Sequence, residues 1–195
     1  VIARDLDLGF RSSATGGAIS GPTVLVKDCN FEDNFVDSLS DPGKNSGGTS
    51  YAFSRGGAIS GVTTATRCTF TNNIASSSAE SQVSPDPRAI AHYKSYPETR
   101  GGAIAGKSSL VNCVFEGNSA LAAAPDGDES NMYNAGSAVY LEGAASVVNC
   151  VFNENIALTA DDSLQRGGFT YSRGAILVAS GGALPLSNST FYNNH

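Results

Sequence analysis

Apolar and polar positions alternate in short runs along this chain, and one such run returns five times. It has the form Cys-x-Phe-x-x-Asn, preceded by a polar residue, as in Arg67, Cys68, Phe70 and Asn73. Alternation with a period of two is typical of a β-strand with one buried face. The Cys and the Phe therefore face inwards, and the Asn falls where the strand must turn.

The repeated positions predict three ladders of equivalent residues. The aromatic ladder consists of Phe31, Phe70, Phe115, Phe152 and Phe191. The turn ladder consists of Asn34, Asn73, Asn118, Asn155 and Asn194. The thiol ladder consists of Cys29, Cys68, Cys113 and Cys150, with Ser189 in the fifth copy. Because Asn tolerates the left-handed backbone conformation and its amide can bond to an identical neighbour, the Asn ladder is expected at a corner of the chain.

A glycine-rich box precedes each of these runs. It reads Gly-Gly-Ala-Ile at 16–19, 56–59 and 101–104 and is less regular at 136–139 and 174–176. Successive Phe residues of the ladder lie 39, 45, 37 and 39 positions apart. The distance from the box to the Phe stays nearly constant, so the variation in length lies after each Asn.

Units that cannot close a core alone must stack on one another. The predicted fold class is all-β, a right-handed single-stranded parallel β-helix (solenoid) of about five coils. Neighbouring Phe rings should then lie one strand spacing apart, about 4.8 Å. The prediction includes long loops on one side, at 36–55, 75–100, 120–135 and 157–173.

The whole chain, 1–195, is predicted to be a single parallel β-helix domain. Residues 1–15 form an incomplete first coil in this interpretation. The repeat units run approximately over 16–55, 56–100, 101–135, 136–173 and 174–195.

Composition and charge limit the classes of partner. The net charge is −6, and no cluster of Lys and Arg supplies the electrostatic footprint that nucleic acid requires. No run of about 20 apolar residues occurs, so membrane insertion is not expected. Gly contributes 22 residues and charged residues 15% of the chain, which is typical of short strands and turns.

The four stacked Cys residues have three interpretations. Free Cys behaves as a small buried hydrophobe, and this interpretation is favoured because Ser189 replaces Cys in the fifth copy. Equivalent residues on stacked strands are close enough for a disulfide, although parallel Cβ vectors suit its torsion poorly. A straight column of thiols does not match the tetrahedral ligand arrangement of zinc.

Aromatic and basic residues gather near the ends of the predicted loops. The aromatic residues either hold the loops against the sheet or form a platform for a ligand. The arginines either pair with loop carboxylates or bind sulfated or uronic sugars. The possible ligand-facing residues are Arg55, Arg100, Arg173, Tyr51, Tyr96, Tyr133 and Tyr171.

No catalytic constellation is predicted. Polysaccharide-cleaving β-helices need carboxylates that act as acid and base on one sheet face, and the acidic residues here form no ladder across coils. His92 and His195 have no nucleophile partner in the pattern. No cofactor is expected. The alternative is calcium at Asp126, Asp128 and Glu129, although these residues lack the spacing of a calcium loop.

The pairing of Gly-Gly-Ala-Ile with Phe-x-x-Asn resembles the passenger domains of the chlamydial polymorphic membrane proteins and related repeats of large bacterial surface proteins. The resemblance extends from Gly16 to Asn194. It implies a β-helical passenger exposed at the cell surface, with adhesive roles in that family.

The expected function is a non-catalytic extracellular or cell-surface scaffold, structural or adhesive. A carbohydrate-binding module and a polysaccharide lyase or hydrolase are the alternatives. The sequence ends in the middle of a unit at 191–195 and begins in β-like sequence at 1–3. The expected partners are therefore further copies of the chain stacked head to tail into a fibre, or a longer solenoid, and also a polysaccharide or another surface protein.

Overall fold

The computed structural model describes residues 2–5, 11–41, 49–80, 94–124, 129–143, 145–161, 169–179 and 184–195. All regular structure in these ranges is β-strand, and the strands form four sheets in which every pair is parallel. Over the same ranges no helix is long and apolar enough to cross a membrane. The all-β class with parallel sheets is confirmed.

The first two sheets each contain five strands. Sheet I consists of β1 (Ile2–Asp5), β5 (Phe35–Ser40), β9 (Ile74–Ala79), β14 (Ser119–Ala124) and β19 (Ile156–Asp161). Sheet II consists of β2 (Arg11–Thr15), β6 (Ser50–Arg55), β10 (Lys94–Arg100), β15 (Glu129–Ala135) and β20 (Phe169–Arg173).

The other two sheets carry the repeated motifs. Sheet III consists of β3 (Ile19–Lys27), β7 (Ile59–Thr66), β11 (Ile104–Ala105), β12 (Ser108–Val111), β16 (Val139–Glu142), β17 (Ser146–Val148), β21 (Ile176–Ala179) and β22 (Leu186–Ser187). Sheet IV consists of β4 (Asn30–Glu32), β8 (Thr69–Thr71), β13 (Val114–Glu116), β18 (Val151–Asn153) and β23 (Thr190–Tyr192).

Each strand pairs with the equivalent strand of the neighbouring repeat. In sheet IV, Phe115 pairs with Phe70 on one side and with Phe152 on the other. The five ladder rings are stacked, with centroids 4.8–4.9 Å apart and planes within 5° of parallel. Phe70, Phe115 and Phe152 are fully buried, whereas Phe191 is 44% exposed.

The Asn ladder lies beside this ring column. Asn118 Nδ2 donates to Asn155 Oδ1 and to the Phe70 carbonyl oxygen, both at 2.9 Å. Asn118 Oδ1 accepts from the backbone N–H of Asn73 at 3.0 Å and from its Nδ2 at 2.9 Å. The same pattern extends from Asn34 to Asn194. Each buried amide therefore links three neighbouring repeats.

The left-handed residue at this corner is not the ladder Asn, which corrects the sequence-based expectation. Positive φ angles occur one position earlier, for example 54° at Asn72 before Asn73 and 62° at Gly117 before Asn118. The residue before each Cys also has positive φ, as at Arg67 with 54°. The ladder Asn recurs in each repeat because of its amide hydrogen bonds, and the residue before it adopts the left-handed conformation of the turn.

The glycine box permits close approach between neighbouring repeats. A Cβ atom added to Gly57 would lie 2.0 Å from the carbonyl oxygen of Gly102 and 2.7 Å from the backbone of Ile74. Any side chain here would therefore push neighbouring backbones apart. The second glycine is therefore required by packing, whereas the first has a left-handed backbone conformation, with a φ of 62° at Gly56.

The prediction of long loops was wrong at both ends of each segment, where the described residues form strands. The ranges 36–55, 75–100, 120–135 and 157–173 contain the strands of sheets I and II. Their inward residues are small, as in the buried Ser77, Ala79 and Ala122. Small polar residues do not produce the hydrophobic alternation by which a strand is recognised.

Sheets I and II pack face to face through these small residues. Thr99 Oγ1 bonds to Ser77 Oγ (2.7 Å) and donates to the Leu121 carbonyl oxygen (2.6 Å). Asn134 Nδ2 donates to the Leu158 carbonyl oxygen at 2.6 Å. Short side chains of one sheet thus reach the backbone of the other. The two sheets form a thin double layer, and most of their large side chains point outwards, with the buried Val36 and Met132 as exceptions.

Candidate binding face on sheet II

The outward face of sheet II is built by strict alternation along its strands. In β6, Ala52 and Ser54 are buried, while Tyr51, Phe53 and Arg55 point away from the interior. The parallel register then places equivalent outward residues side by side on neighbouring strands. A row of large side chains therefore crosses the strands of the sheet.

Aromatic rings dominate this face. Tyr51 and Tyr96 are register partners and stack with centroids 4.9 Å apart. Tyr133 and Tyr171 are also partners, with centroids 6.3 Å apart and planes tilted by 49°. Tyr51 is 37% exposed and Tyr171 is 47% exposed. Large rings left partly exposed on a sheet are available for contact with a ligand.

A groove of about 520 Å³ opens between the two pairs of rings. Tyr51 covers one side of Tyr96, and β15 lies on the other side of β10. The smaller Asn131 on β15 leaves the groove open beside the Tyr96 ring. The lining is mostly apolar and consists of Tyr51, Phe53, Tyr96, Pro97, Glu98, Arg100, Asn131, Met132, Tyr133 and Tyr171.

Arg100 is the electrostatic centre of the face. It forms an ion pair with Glu98 through Nε and with Glu142 through Nη1 at 3.2 Å. Its guanidinium lies 4.8 Å from the centre of the Tyr140 ring. Arg55 Nη1 shares the same Glu142 oxygen at 3.3 Å. Burial would lower the pKa of Arg100, but Glu98, Tyr140 and Glu142 outweigh that effect and raise it. Arg100 is thus a cation held in place by ion pairs with two carboxylates.

Two further arginines lie over exposed parts of the aromatic row. The Arg173 guanidinium is 5.6 Å from the centre of the Tyr171 ring, and that of Arg11 is 5.0 Å from the centre of the Phe53 ring. Both arginines are exposed. Neither forms an ion pair with a carboxylate among the residues that the structure describes. A cation over a ring is held in place without losing its charge.

The structure places all seven possible ligand-facing residues on one surface. Arg55, Arg100, Arg173 and the four tyrosines share the outward side of sheet II, because each occupies an outward position of an alternating strand; the paired strands place them in three neighbouring register rows. Sequence reasoning missed Arg11, Glu98 and Glu142. The first two follow the same alternation, which would have identified them once these segments were recognised as strands.

The remaining sequence candidates contribute nothing to this face. Asp126, Asp128 and His92 lie outside the described residues, as does the side chain of Glu129. Within the described ranges no group of three His, Cys, Asp or Glu side chains is placed to hold a metal ion. The weak calcium prediction therefore stays a prediction.

The Cys column belongs to the core between sheets III and IV. All four thiols are free, and Cys68, Cys113 and Cys150 are buried, while Cys29 is partly buried. Burial raises the pKa of Cys68. A hydrogen bond with Cys150 and burial together raise the pKa of Cys113. The same hydrogen bond lowers the pKa of Cys150 to about 7, whereas Cys68 and Cys113 stay protonated and pack as small apolar groups.

Comparisons with protein-family models, curated proteins and solved structures find no significant match. The function is therefore inferred from the chemistry of this face.

Proposed function

We propose that the chain winds as a right-handed single-stranded parallel β-helix and serves as an extracellular or cell-surface scaffold that binds carbohydrate on the outward face of sheet II. The pairing of each strand with its equivalent one repeat away supports the winding. Parallel strands joined by a crossover are right-handed in nearly all proteins. The scaffold is non-catalytic in this proposal, and its adhesive property comes from the bound sugar.

The groove between Tyr96 and Tyr133 is the observation that carries this proposal. A sugar ring has an apolar face of C–H groups and a polar rim of hydroxyls. Aromatic side chains match the first, and a few polar groups that converge on the groove match the second. Glu98 and Arg100 supply an acceptor and donors whose positions are fixed by their mutual ion pair. Such a lining favours a sugar over a purely apolar ligand.

Binding is favoured over cleavage by the state of the carboxylates. A lyase or hydrolase needs a carboxyl group that is free to exchange a proton with the substrate. Glu98 and Glu142, the described carboxylates beside the groove, both form ion pairs with Arg100. These contacts position the carboxylates for hydrogen bonding to hydroxyl groups instead.

Replacing Tyr96 tests the proposal. Tyr96→Ala removes a ring that lines the groove, and we expect the affinity for a bound polysaccharide to fall at least about tenfold. Affinity electrophoresis in gels that contain a panel of neutral and acidic polysaccharides measures the effect. Leu158→Ala, at a residue 54% exposed on the opposite side of the double layer, is the matched control and should leave migration unchanged.

Failure of the parent chain to be retarded by any polysaccharide would contradict the proposal, and so would equal retardation of Tyr96→Ala and the parent. The resemblance to chlamydial passenger domains stays a prediction. Self-association through the coil ends also stays a prediction, which the sedimentation coefficient of the purified chain tests.

A further inference from the structure

The outward face of sheet II differs in charge from the rest of the molecule. The chain as a whole has a net charge of −6. Among the described side chains around the groove, four arginines stand against two glutamates, which are Glu98 and Glu142. A local positive excess on an acidic protein attracts anions to one place and repels them elsewhere.

The four arginines divide into two pairs with different roles. Arg55 and Arg100 are neutralised by the two glutamates, so they orient a ligand without adding net charge. Arg11 and Arg173 carry the excess charge. They lie on β2 and β20, the two outermost strands of the sheet, which are four strand spacings or roughly 19 Å apart.

The aromatic row connects these two cations. Arg11 lies over Phe53, and Arg173 lies over Tyr171. Phe53 and Tyr171 occupy the same register row, with Glu98 and Tyr133 between them. A ligand that follows the groove would therefore cross the strands and have an arginine at each end. Phe53 and Tyr171 lie three strand spacings, or roughly 14 Å, apart, and a span of this length suits an oligosaccharide of several rings better than a single sugar.

We infer that the ligand of this face is an anionic polysaccharide, with carboxylate or sulfate groups, that lies across β6, β10, β15 and β20 and is held at its ends by Arg11 and Arg173. This inference rests on the proposed carbohydrate-binding function. A guanidinium presents a planar fork of donors that matches the oxygens of a carboxylate or a sulfate. The rings beneath Arg11 and Arg173 restrict both side chains and leave their outer faces open to such a group.

Two matched pairs of polymers separate charge from ring recognition. Polygalacturonate is compared with its methyl ester, and dextran sulfate with dextran, so that each pair shares one backbone. We expect an affinity for one acidic polymer at least about tenfold above that for its neutral counterpart, and an affinity that falls as salt is raised. Which of the two acidic polymers binds more tightly distinguishes carboxylate from sulfate recognition.

Arg173→Gln tests the assignment of the end cation. Because the side chain is exposed, the variant should keep the parent's circular dichroism and melting temperature. We expect about a tenfold loss of affinity for the acidic polymer and no change for the neutral one. Arg11→Gln should behave in the same way. Lys107→Gln, which removes an exposed cation on the side of sheet III, is the control and should change neither affinity.

The outcomes distinguish this inference from the function on which it rests. Suppose that the acidic and neutral polymers bind with equal affinity and that Tyr96→Ala still lowers this affinity. That result would overturn the inference of an anionic ligand and leave the proposed carbohydrate-binding function standing. Tight binding of the acidic polymer that neither Arg173→Gln nor Arg11→Gln weakens would overturn the assignment of the arginines. No binding of any of the four polymers would overturn the inference and the proposed function together.

Discussion

Phe115→Ala is expected to lower the free energy of unfolding by about 3–5 kcal/mol. The Phe115 ring is fully buried at the middle of the column, stacked on Phe70 and Phe152 with centroids 4.8 Å away on each side. Its removal leaves a cavity that two rings in fixed register cannot fill. Denaturation in urea, followed by far-ultraviolet circular dichroism, measures the loss.

Leu25→Ala is the control for this experiment, since Leu25 is 77% exposed on β3. It should change the free energy of unfolding by no more than about 0.5 kcal/mol. A urea midpoint for Phe115→Ala equal to that of Leu25→Ala would show that the column of Phe rings is not the core of the fold.

Asn118→Asp is expected to lower the free energy of unfolding at neutral pH by at least about 3 kcal/mol, an effect similar in size to that of Phe115→Ala. The Asn118 amide nitrogen donates to Asn155 Oδ1 and to the Phe70 carbonyl oxygen. An ionised carboxylate would present an oxygen to both acceptors and would bury a charge without a counterion. The substitution changes the size of the side chain very little, so the effect reports on hydrogen bonding.

Asn112→Asp is the matched control for the ladder. Asn112 is exposed, has a φ of 55°, and accepts a bond from Asn149 Nδ2 through Oδ1. Asp tolerates the same backbone conformation and keeps the acceptor. The urea midpoint of the Asn112→Asp variant should remain close to that of the parent chain. Equal stability of the two Asp variants would refute the role assigned to the buried amides.

The Phe and Asn ladders could be predicted from the sequence because each position recurs at a nearly constant offset from a glycine box. A large side chain that returns at the same offset must stack on its equivalent once the strands are parallel. The left-handed turn residue could not be assigned in this way. Asn72, Asp33 and Glu154 occupy that position in different copies, so residue type alone does not identify it.

Sheets I and II could not be predicted because their interior contains few large apolar groups. The run Ser76, Ser77 and Ser78 in β9 alternates in burial without alternating in polarity. Its stabilisation comes from bonds to the opposite sheet, such as that between Ser77 and Thr99. The alternation of apolar and polar residues along the sequence does not predict these tertiary hydrogen bonds.

The sequence therefore predicts only part of the candidate binding face on sheet II. Tyr51, Tyr96 and Arg100 attract notice as large residues at equivalent places in successive copies. Glu142 does not, because it belongs to β16 in sheet III and reaches Arg100 across the corner between two sheets. Contacts between residues of different sheets can be identified only from the three-dimensional structure.

The central claim is that a polysaccharide binds on the outward face of sheet II, and a fluorescence titration tests it most directly. The chain contains no Trp, so Tyr133→Trp introduces a single indole that lines the groove. Leu158→Trp places the same reporter on the opposite side of the double layer. We predict a saturable change in emission when polygalacturonate or dextran sulfate is added to Tyr133→Trp, and no change for Leu158→Trp. A response from Leu158→Trp, with none from Tyr133→Trp, would contradict the account.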